Sequence, residues 1–315
     1  MHHRETYRQF AALAPDLPLF MQPWYLDVVC EGGEWDAVVV EKGGQIVAVM
    51  PYFLKKKWGR HYITMPQLCK LMGPWLLPDY RTLKWEMRLY KALIQQLPSG
   101  LAAFVQNFNY SVHNWLPFYW AGFRQTTLYS YVLSLDRPES VIFNNIHKNY
   151  RQKIRSAAGK LVIRHDLPVS VLHELVGKTF ARQSLTQPLD PIFLERFVAA
   201  LEAKHCVKLF FATDINDQQV HAASLLAWDT ESAYYLISGD NPDLRNSGAA
   251  VLLKWTAIQY AKNTLGLPFF DFEGSMIEAI EQGRRDFGAE QRPYFRVEKE
   301  VAWWWKWRRF LRSMG

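Results

Sequence analysis

The chain has 315 residues, which is more than one domain of ordinary size needs and is enough for two. Hydrophobic residues make up 49% and charged residues 21%, a composition that excludes a chain without a folded core. The formal net charge of +7 favours an anionic partner, such as a nucleotide-linked substrate, tRNA or an acidic membrane surface.

Neither a leader peptide nor a membrane span is expected. The N-terminal stretch MHHRETYRQF lacks the apolar run of a signal peptide, and no window holds about eighteen uncharged apolar residues. We therefore expect a cytoplasmic protein. Cys30, Cys69 and Cys206 are odd in number and have no metal-like spacing, so the sequence predicts buried free thiols and no metal site.

The first half of the chain opens with prolines and then becomes rich in strands. Prolines at positions 15, 18 and 23 break the first thirty residues into short helices. Residues 36–40 and 45–53 alternate around Lys42-Gly43-Gly44, which is a hairpin signal. The elements expected next are strands within residues 61–77, a helix over about 82–97, and strands over 101–108 and 122–135.

The second half repeats this order of elements. A hairpin is expected from residues 207–213 and 220–228, and after it a helix following Gly248 and strands over 268–272 and 294–301. Three pairs of identical residues are each 166 positions apart: Gly100 and Gly266, Gly122 and Gly288, and Gln125 and Gln291. A tandem duplication of one α/β unit explains this spacing better than chance does. The predicted domains are residues 1–138 and 139–300.

A turn in the second half has the composition of an anion site. Residues 238–266 read as a strand end, a polar turn and a helix that Gly266 ends. The first turn of a helix offers free N–H groups and the positive end of the dipole, and small residues leave room for a phosphate. A helix start whose small residues serve only packing is the alternative. The candidate residues, here called the anion cradle, are Arg245, Asn246, Ser247, Gly248, Ala249 and Ala250.

The corresponding stretch of the first half, residues 79–84, contains no glycine and carries a carboxylate. A carboxylate repels a phosphate, so we do not expect a donor site there. The first half should be a platform for substrate, and the second half should hold the single active site.

Between the halves, residues 140–160 have the pattern of one basic amphipathic helix. The basic face either contacts substrate phosphates or RNA, or is the solvated side of a connecting helix. The apolar face and the basic face beside it consist of Ile142, Ile146, Tyr150 and Ile154, and of Lys148, Arg151 and Arg155, respectively.

The last residues, 301–315, are rich in tryptophan and arginine. As a helix they would carry one apolar stripe and one arginine stripe, which is the pattern of an interfacial membrane helix over residues 302–312. Packing of the tryptophans onto the body of the protein is the alternative. The two stripes are Trp303, Trp304, Trp307, Phe310 and Leu311, and Arg308, Arg309 and Arg312.

Together these motifs resemble those of the FemABX-like peptidyltransferases, also described as tandem GNAT acyltransferases or methicillin-resistance-type proteins. The resemblance rests on HKNYRQKIRSA, YYLISGDNPDLRNSGAAVLLKW and FFDFEGSMIEAIEQGRRDFGAEQRPYFRV. Within the second of these, Arg-x-x-Gly-x-Ala is similar to the pyrophosphate loop with which GNAT acyltransferases hold the diphosphate of coenzyme A. The resemblance covers nearly the whole chain and is most specific in the second half.

This resemblance implies an α/β fold of two tandem GNAT-like domains, the first of them degenerate. It also implies transfer of an acyl or aminoacyl group to an amine, from acyl-CoA or from aminoacyl-tRNA, and the retained loop favours CoA. The acceptor implied is an amine of a lipid-linked or nucleotide-linked precursor of the cell envelope, as in peptidoglycan and cell wall biogenesis.

Acyl transfer to an amine needs a base, a stabilised oxyanion and a positioned leaving group. Alternation along FFDFEGS puts Asp271 and Glu273 on one face, and Glu273 is the candidate base. A carboxylate that caps a neighbouring helix, or that pairs with Arg284 or Arg285, is the alternative. Tyr294 is the candidate donor to a leaving thiolate or a tRNA hydroxyl, with burial in the core as the alternative.

One departure from the family pattern affects these roles. Where many relatives have Phe-Lys before a Phe-Gly pair, this chain has Gly283-Arg284, so the role of the family lysine passes to Arg284, with Arg285 beside it. Arginine keeps the charge but cannot act as a base. The sequence contains no Gly-x-Ser-x-Gly elbow, which argues against a serine-triad hydrolase.

A second interpretation is a non-catalytic protein that keeps the duplicated fold and uses its basic surfaces to bind a polyanion or a membrane. An anion cradle in one half only, together with the strand that carries carboxylates, favours the enzyme. Binding of acetyl-CoA or of aminoacyl-tRNA would separate the two interpretations.

Overall fold

The computed structural model describes residues 3–274 and 276–300. These residues form two compact units, the first built from residues 3–128 and 293–300 and the second from residues 129–292. The interfacial helix predicted over residues 302–312 lies outside the described residues. Each unit is described below by itself.

The first half of the chain has two N-terminal helices and then mainly strands. Its helices are α1 (Arg4–Leu13), α2 (Pro23–Val29), α3 (Leu83–Gln95) and α4 (Leu116–Trp120). Its strands are β1 (Glu34–Lys42), β2 (Gln45–Lys57), β3 (Arg60–Thr64), β4 (Trp75–Leu76), β5 (Ala103–Asn107) and β6 (Arg124–Ser134). The predicted hairpin, the helix after it and the two later strands are therefore confirmed as β1–β2, α3, β5 and β6.

The second half contains more helix. Its helices are α5 (Glu139–Asn145), α6 (Lys148–Ala158), α7 (Val169–Arg182), α8 (Pro191–Glu202), α9 (Ala249–Gln259) and α10 (Glu278–Arg285). Its strands are β7 (Leu161–Arg164), β8 (Val207–Asp214), β9 (Val220–Trp228), β10 (Ser232–Asp240), β11 (Phe269–Asp271) and β12 (Glu290–Glu300). A 3₁₀ turn, Pro242–Ser247, joins β10 to α9, and a π-helical turn, Tyr260–Thr264, follows α9.

In the first unit the strand order is β1-β2-β3-β5-β12, and β4 pairs with β2. All neighbours are antiparallel except β3 and β5, where Tyr62 pairs with Ala103 and Ile63 with Phe104. The core between this sheet and α3 holds Met50 and Leu93, which are buried completely. Burial of such side chains is the main stabilising contribution to this unit.

In the second unit the strand order is β6-β11-β10-β9-β8-β7, and only β10 and β11 are parallel. Helices α6 and α9 pack on each other, and their apolar side chains share a core with the strands. Ile154 of α6, Leu253 of α9 and Phe270 of β11 are buried in this core. The start of α9 is thereby held in place by both the sheet and α6.

The two halves of the chain repeat one structural plan. The order β1-β2-β3-α3-β5-α4-β6 matches β8-β9-β10-α9-β11-α10-β12. In both, the third strand runs parallel to the strand that follows the helix. Gly100 and Gly266 precede that strand with φ of +71° and +66°, and Gly122 and Gly288 precede the last strand with φ of +82° and +79°. The 166-residue spacing therefore places glycine at equivalent left-handed positions, which L side chains rarely adopt.

The two compact units do not coincide with the two sequence repeats, because the last strand of each repeat pairs with a strand of the other repeat. Residues 132–134 of β6, from the first repeat, pair with β11 in the second unit. Residues 296–300 of β12, from the second repeat, pair with β5 in the first unit. The boundaries at 138 and 300 therefore refer to the repeats and remain our proposal for them.

One predicted helix is two helices in the structure. The segment predicted as a continuous helix over residues 140–160 breaks between α5 and α6, where Ile146 has extended backbone with ψ of 138°. Ile146 is buried in the core, and the next amide, that of His147, donates to the carbonyl oxygen of Asp286 at 2.7 Å. A hydrogen bond outside the helix thus replaces one inside it. Helices α7 and α8 have no counterpart among the predicted elements.

The three cysteines are buried free thiols, and burial raises the pKa of the Cys206 thiol to about 12. Burial likewise raises the pKa of the Cys30 thiol. Thiols of this kind are inert because the thiolate is the reactive form. Within residues 3–274 and 276–300, no helix is both long enough and apolar enough to cross a bilayer.

Candidate active site

Two neighbouring parallel strands of the second unit separate early. Within the described residues, β10 and β11 pair at only three positions, from Ser232 with Phe269 to Tyr234 with Asp271. β10 continues to Asp240 and stays paired along its other edge with β9, whereas β11 ends. The edge of residues 235–239 that β11 leaves is here called the open edge of β10. At Asp240 this edge is closed by α7, because the Asp240 amide donates to the Thr179 hydroxyl at 2.9 Å. An extended ligand can add to such an edge through main-chain hydrogen bonds.

A β-bulge lies where the two strands part. The pairing of β10 with β9 shifts at Leu236, which is the extra residue. Before the bulge, Tyr235 packs in the core with its ring centroid 6.1 Å from that of Phe270. After it, Gly239 lies against α7, since a Cβ there would come within 2.3 Å of the Val176 amide nitrogen. The bulge thus changes the face to which side chains point and bends the strand next to the opening.

The anion cradle follows at the end of β10. Arg245 donates through Nε to Oδ2 of Asp240 at 2.9 Å, which ties the 3₁₀ turn to the strand. Half of the Arg245 side chain remains exposed, and Asn246 is exposed as well. The hydroxyl oxygen of Ser247 accepts from the amide of Ala249 at 3.3 Å. The structure therefore brings the cradle residues into one turn at the start of α9.

Gly248 has a role in packing that the sequence does not reveal. Its φ of +80° is left-handed and favours glycine. A Cβ there would lie 3.2 Å from the carbonyl oxygen of Lys153 and 3.4 Å from the Cβ of Ala157, both in α6. Ala249 is also buried, and Ala250 is half-buried. The missing Gly248 side chain makes room for α6, so the solvent-facing side of the cradle is its 245–247 part.

A carboxylate pair lies where β11 ends. Oδ1 of Asp271 accepts from the hydroxyl of Ser130 at 2.6 Å and from the amide of Glu273 at 2.7 Å, and Asp271 is buried. Glu273 has φ of +59°, which is uncommon for a residue other than glycine. Backbone conformations of this kind are often found at functional sites. Asp271 therefore fixes the backbone position from which Glu273 extends.

Arg284 and Arg285 point to different surroundings. Arg284 donates through Nε to the carbonyl oxygen of Phe272 at 2.9 Å, which fastens α10 to the end of β11. Burial lowers the pKa of Arg284, and the carboxylates of Glu273 and Asp271 oppose that shift. Arg285 instead pairs with Glu281 on its own helix at 3.1 Å and is mostly exposed. The structure thus places Arg284, and not Arg285, beside Glu273.

Lys254 belongs to this cluster, although it was not among the predicted site residues. Burial lowers the pKa of Lys254 to about 8; the charge of Arg284 adds to this effect, and Asp240 opposes it. Its ammonium lies 5.9 Å from the ring centroid of Tyr235. The sequence carried one signal for it: Lys254 is the single charged residue of α9, a helix with apolar residues on nearly every side.

Tyr131 is a second residue that sequence analysis missed. Its hydroxyl accepts from Nε2 of Gln291 at 2.5 Å, and its backbone carbonyl accepts from the amide of Phe272 at 2.9 Å. Burial raises the pKa of Tyr131, and so does the neighbouring Glu281, while the Gln291 hydrogen bond lowers it. No sequence motif singles out Tyr131, because strand pairing alone brings β6 next to β11.

Tyr294 belongs to the first compact unit, not to the second. It lies in the part of β12 that belongs to the first unit, is buried, and has the Lys70 ammonium 5.8 Å from its ring centroid. The second unit therefore brings together Glu273, Arg284 and the anion cradle, and Tyr294 is not among the residues that it collects.

The second repeat also matches a known family. Residues 144–296 match the model of the family described as an acetyltransferase (GNAT) domain. This domain contains both the anion cradle and the carboxylate pair, so the site described above lies inside it. A search of curated proteins finds no sequence match.

Solved structures extend the similarity to the whole chain. FemX has a TM-score of 0.69 and 13% identity, over 93% of this chain and 95% of FemX. A tandem GNAT protein from the clavulanic acid biosynthesis pathway has a TM-score of 0.58 and 11% identity, over 94% of this chain and 95% of that protein. The C-terminal domain of a putative lysylphosphatidylglycerol synthetase from Agrobacterium fabrum has a TM-score of 0.56 and 10% identity. This match covers 95% of this chain and 92% of that domain.

The sequence identities are low, so these structural similarities show the fold alone. The predicted fold class, an α/β protein of two tandem GNAT-like domains, is confirmed, and so is the resemblance to the FemABX-like tandem GNAT family. Among residues 3–274 and 276–300, no group of three or more His, Cys, Asp or Glu side chains could hold a metal ion.

Lys254→Met tests how strongly this cluster is desolvated. Because the pKa of Lys254 falls from 10.5 to about 8, the unfolded chain binds more protons than the folded chain between these pH values, so stability rises with pH in this window. We expect Lys254→Met to raise the free energy of unfolding at pH 7 by roughly 1 to 2 kcal/mol and to flatten this rise. Urea denaturation at pH 7 and pH 10 measures both effects.

The control is Lys178→Met, which removes an exposed lysine of the same unit that pairs with Glu174. This control should leave the pH dependence of stability unchanged. An unchanged pH dependence in Lys254→Met as well would show that the Lys254 ammonium is solvated.

Proposed function

We propose that this protein is an N-acyltransferase of the GNAT type that transfers an acyl group from acyl-CoA to an amine. The observation that carries the proposal is the combination, within one GNAT domain, of the open edge of β10 with the anion cradle at its end. The GNAT-type fold supports an acyltransferase, whereas the acyl group, the donor and the acceptor are part of the proposal.

The donor would extend along β10. Its diphosphate would meet the solvent-facing part of the cradle, where Arg245 supplies a cation and the start of α9 supplies the positive end of a helix dipole. The pantetheine arm has two amide groups, and these can pair with the open edge of β10, as an added strand would. Residues 235–239 of β10 extend over about 13 Å, which gives an extended arm room to reach the end of β11.

The chemistry would take place beside Glu273. Glu273 would accept the proton of the acceptor ammonium, and the free amine would then attack the thioester carbonyl carbon. The C–N bond forms, the nitrogen gives up a second proton, the C–S bond breaks, and CoA leaves as a thiolate that takes up one proton in turn. Arg284 would stabilise the negative charge that develops on the carbonyl oxygen. Lys254, with a pKa of about 8, is a candidate to return a proton to the thiolate.

The acceptor that we propose is an amine of a cell-envelope precursor, either lipid-linked or nucleotide-linked. The fold similarity to FemX and to a lysylphosphatidylglycerol synthetase domain supports this choice. Aminoacyl-tRNA stays the alternative donor, with the basic residues of α6 as its candidate contact. The roles predicted for Arg285 and Tyr294 stay predictions, and a cytoplasmic location at the inner face of the membrane is part of the same proposal.

Asn246→Asp tests the donor site with almost no change in shape. The new carboxylate would stand in the exposed turn before α9, where it repels a diphosphate while the helix dipole accommodates it. We expect binding of CoA to weaken at least fivefold, and binding of the parent to weaken with added salt. Isothermal titration calorimetry with CoA measures both.

The matched variant is Asp243→Asn, which removes a carboxylate from the same turn and should tighten binding of CoA. Gly248→Val is unsuitable for this purpose, because its left-handed φ and its contact with α6 would destabilise the fold. Equal affinity in the parent, Asn246→Asp and Asp243→Asn would show that the cradle does not hold the diphosphate. No CoA binding together with tight tRNA binding would favour the tRNA donor.

Glu273→Gln tests the base. The amide keeps the size of the side chain but cannot take a proton, so we expect kcat to fall by about 10²- to 10⁴-fold while the Kd for CoA stays the same. Release of CoA thiol from acetyl-CoA in the presence of a panel of primary amines measures the rate. The control is Glu290→Gln, an exposed carboxylate of the same domain. A full rate in Glu273→Gln would remove Glu273 from the mechanism.

A further inference from the structure

The first unit exposes a patch of apolar and aromatic side chains on a short, well-anchored helix. Leu116, Tyr119 and Trp120 of α4 are 44%, 58% and 54% exposed and are here called the aromatic patch. The same helix is fixed from below by Phe118, which is fully buried, with ring centroids 4.8 Å from Phe108. The aromatic patch is therefore held outward by a packed core.

Three cations line the neighbouring helix. Lys84, Arg88 and Lys91 of α3 are exposed, and their spacing of four and three residues puts them on one stripe. The Lys91 ammonium lies 4.9 Å from the ring centroid of Trp120, so the cation stripe borders the aromatic patch. Glu86, the single acidic residue of α3, is half-buried and acts on Tyr90. The exposed charge of this stripe is therefore positive.

We propose that the aromatic patch and the cation stripe of α3 together dock the protein on the surface of a bilayer that contains anionic lipids. Tryptophan and tyrosine favour the headgroup region of a membrane, because their rings are apolar and their N–H and O–H groups are polar. Lysine and arginine beside them meet the phosphates of anionic headgroups.

A bilayer fits this surface better than a protein partner does. A short helix with two aromatic tips and a leucine offers little area for a packed protein interface but enough for insertion at headgroup depth. The overall charge of +7 acts in the same direction as the cation stripe. This surface is distinct from the helix predicted over residues 302–312, so the experiment has to locate the contact.

A fluorescent label can locate it in the full-length chain. The three native cysteines are buried, so Tyr119→Cys presents one exposed thiol for an environment-sensitive dye. We expect the emission of the dye to shift to the blue with vesicles of phosphatidylcholine and phosphatidylglycerol, and to stay unchanged with phosphatidylcholine alone. Lys204→Cys, an exposed position of the second unit, is the control label and should not respond.

Sedimentation with the same vesicles measures the strength of the contact. Lys91→Glu reverses a charge in the stripe and should weaken partition by at least fivefold. Trp120→Ala removes the central aromatic side chain and should weaken it further. Lys204→Glu changes the net charge by the same amount outside the surface and should have a much smaller effect. Circular dichroism of each variant shows whether it is folded.

Three results would overturn the proposal. The Tyr119 label could stay silent while the protein sediments with vesicles, which would place the contact elsewhere. The label could respond to protein concentration without vesicles, which would make the aromatic patch a contact between copies of this chain. Lys91→Glu and Lys204→Glu could weaken sedimentation equally, which would make the effect one of net charge alone.

Discussion

The early end of β11 is the constraint on which the rest of the second unit depends. Three residue pairs hold β11 to β10, and after Asp271 the chain turns away through Glu273. This leaves the edge of β10 open, places Glu273 at its margin and lets Arg284 fasten α10 to the carbonyl of Phe272. The same parting of strands directs β10 onward into the anion cradle. One local feature of strand pairing thus produces both an edge that β11 leaves unpaired and a charged cluster beside it.

Burial shapes the charged cluster, because it acts on both of its cations. Asp271 is buried and satisfied by a hydroxyl and an amide, so it acts on the position of Glu273 rather than on a ligand. Burial lowers the pKa of both Lys254 and Arg284, and the charge of Arg284 lowers the pKa of Lys254 further. An anion that entered this site would relieve that repulsion, which is the electrostatic condition that an acyl-transfer transition state requires.

Much of the fold could be predicted from the sequence, because repeated glycines at a spacing of 166 mark equivalent turns in both halves. The break at Ile146 could not, because it depends on a hydrogen bond from His147 to Asp286, which is distant in sequence. Spacing did predict Arg245 to Ala250 as one turn. It could not show that Gly248 lies against Lys153 of α6, since helix packing leaves no local pattern.

The candidate site could be predicted only in part, because some of its residues are brought together by contacts between distant segments. Glu273 and Arg284 belong to one continuous motif, whereas Tyr131 and Lys254 reach the cluster from other strands and helices. Lys254 did leave a trace, as the single charge in an apolar helix, and a lysine in such a position is one whose pKa is expected to be perturbed. Tyr131 left none, because its neighbours are set by the pairing of β6 with β11.

The most direct test of the central claim is amide hydrogen exchange of the full-length protein with and without CoA. If the donor lies along the open edge of β10, amides within residues 235–239 and in the first turn of α9 should exchange more slowly when CoA is bound. The equivalent segments of the first repeat, β3 and the first turn of α3, should not change. Equal protection in both repeats, or CoA binding without protection within residues 235–239, would contradict the account.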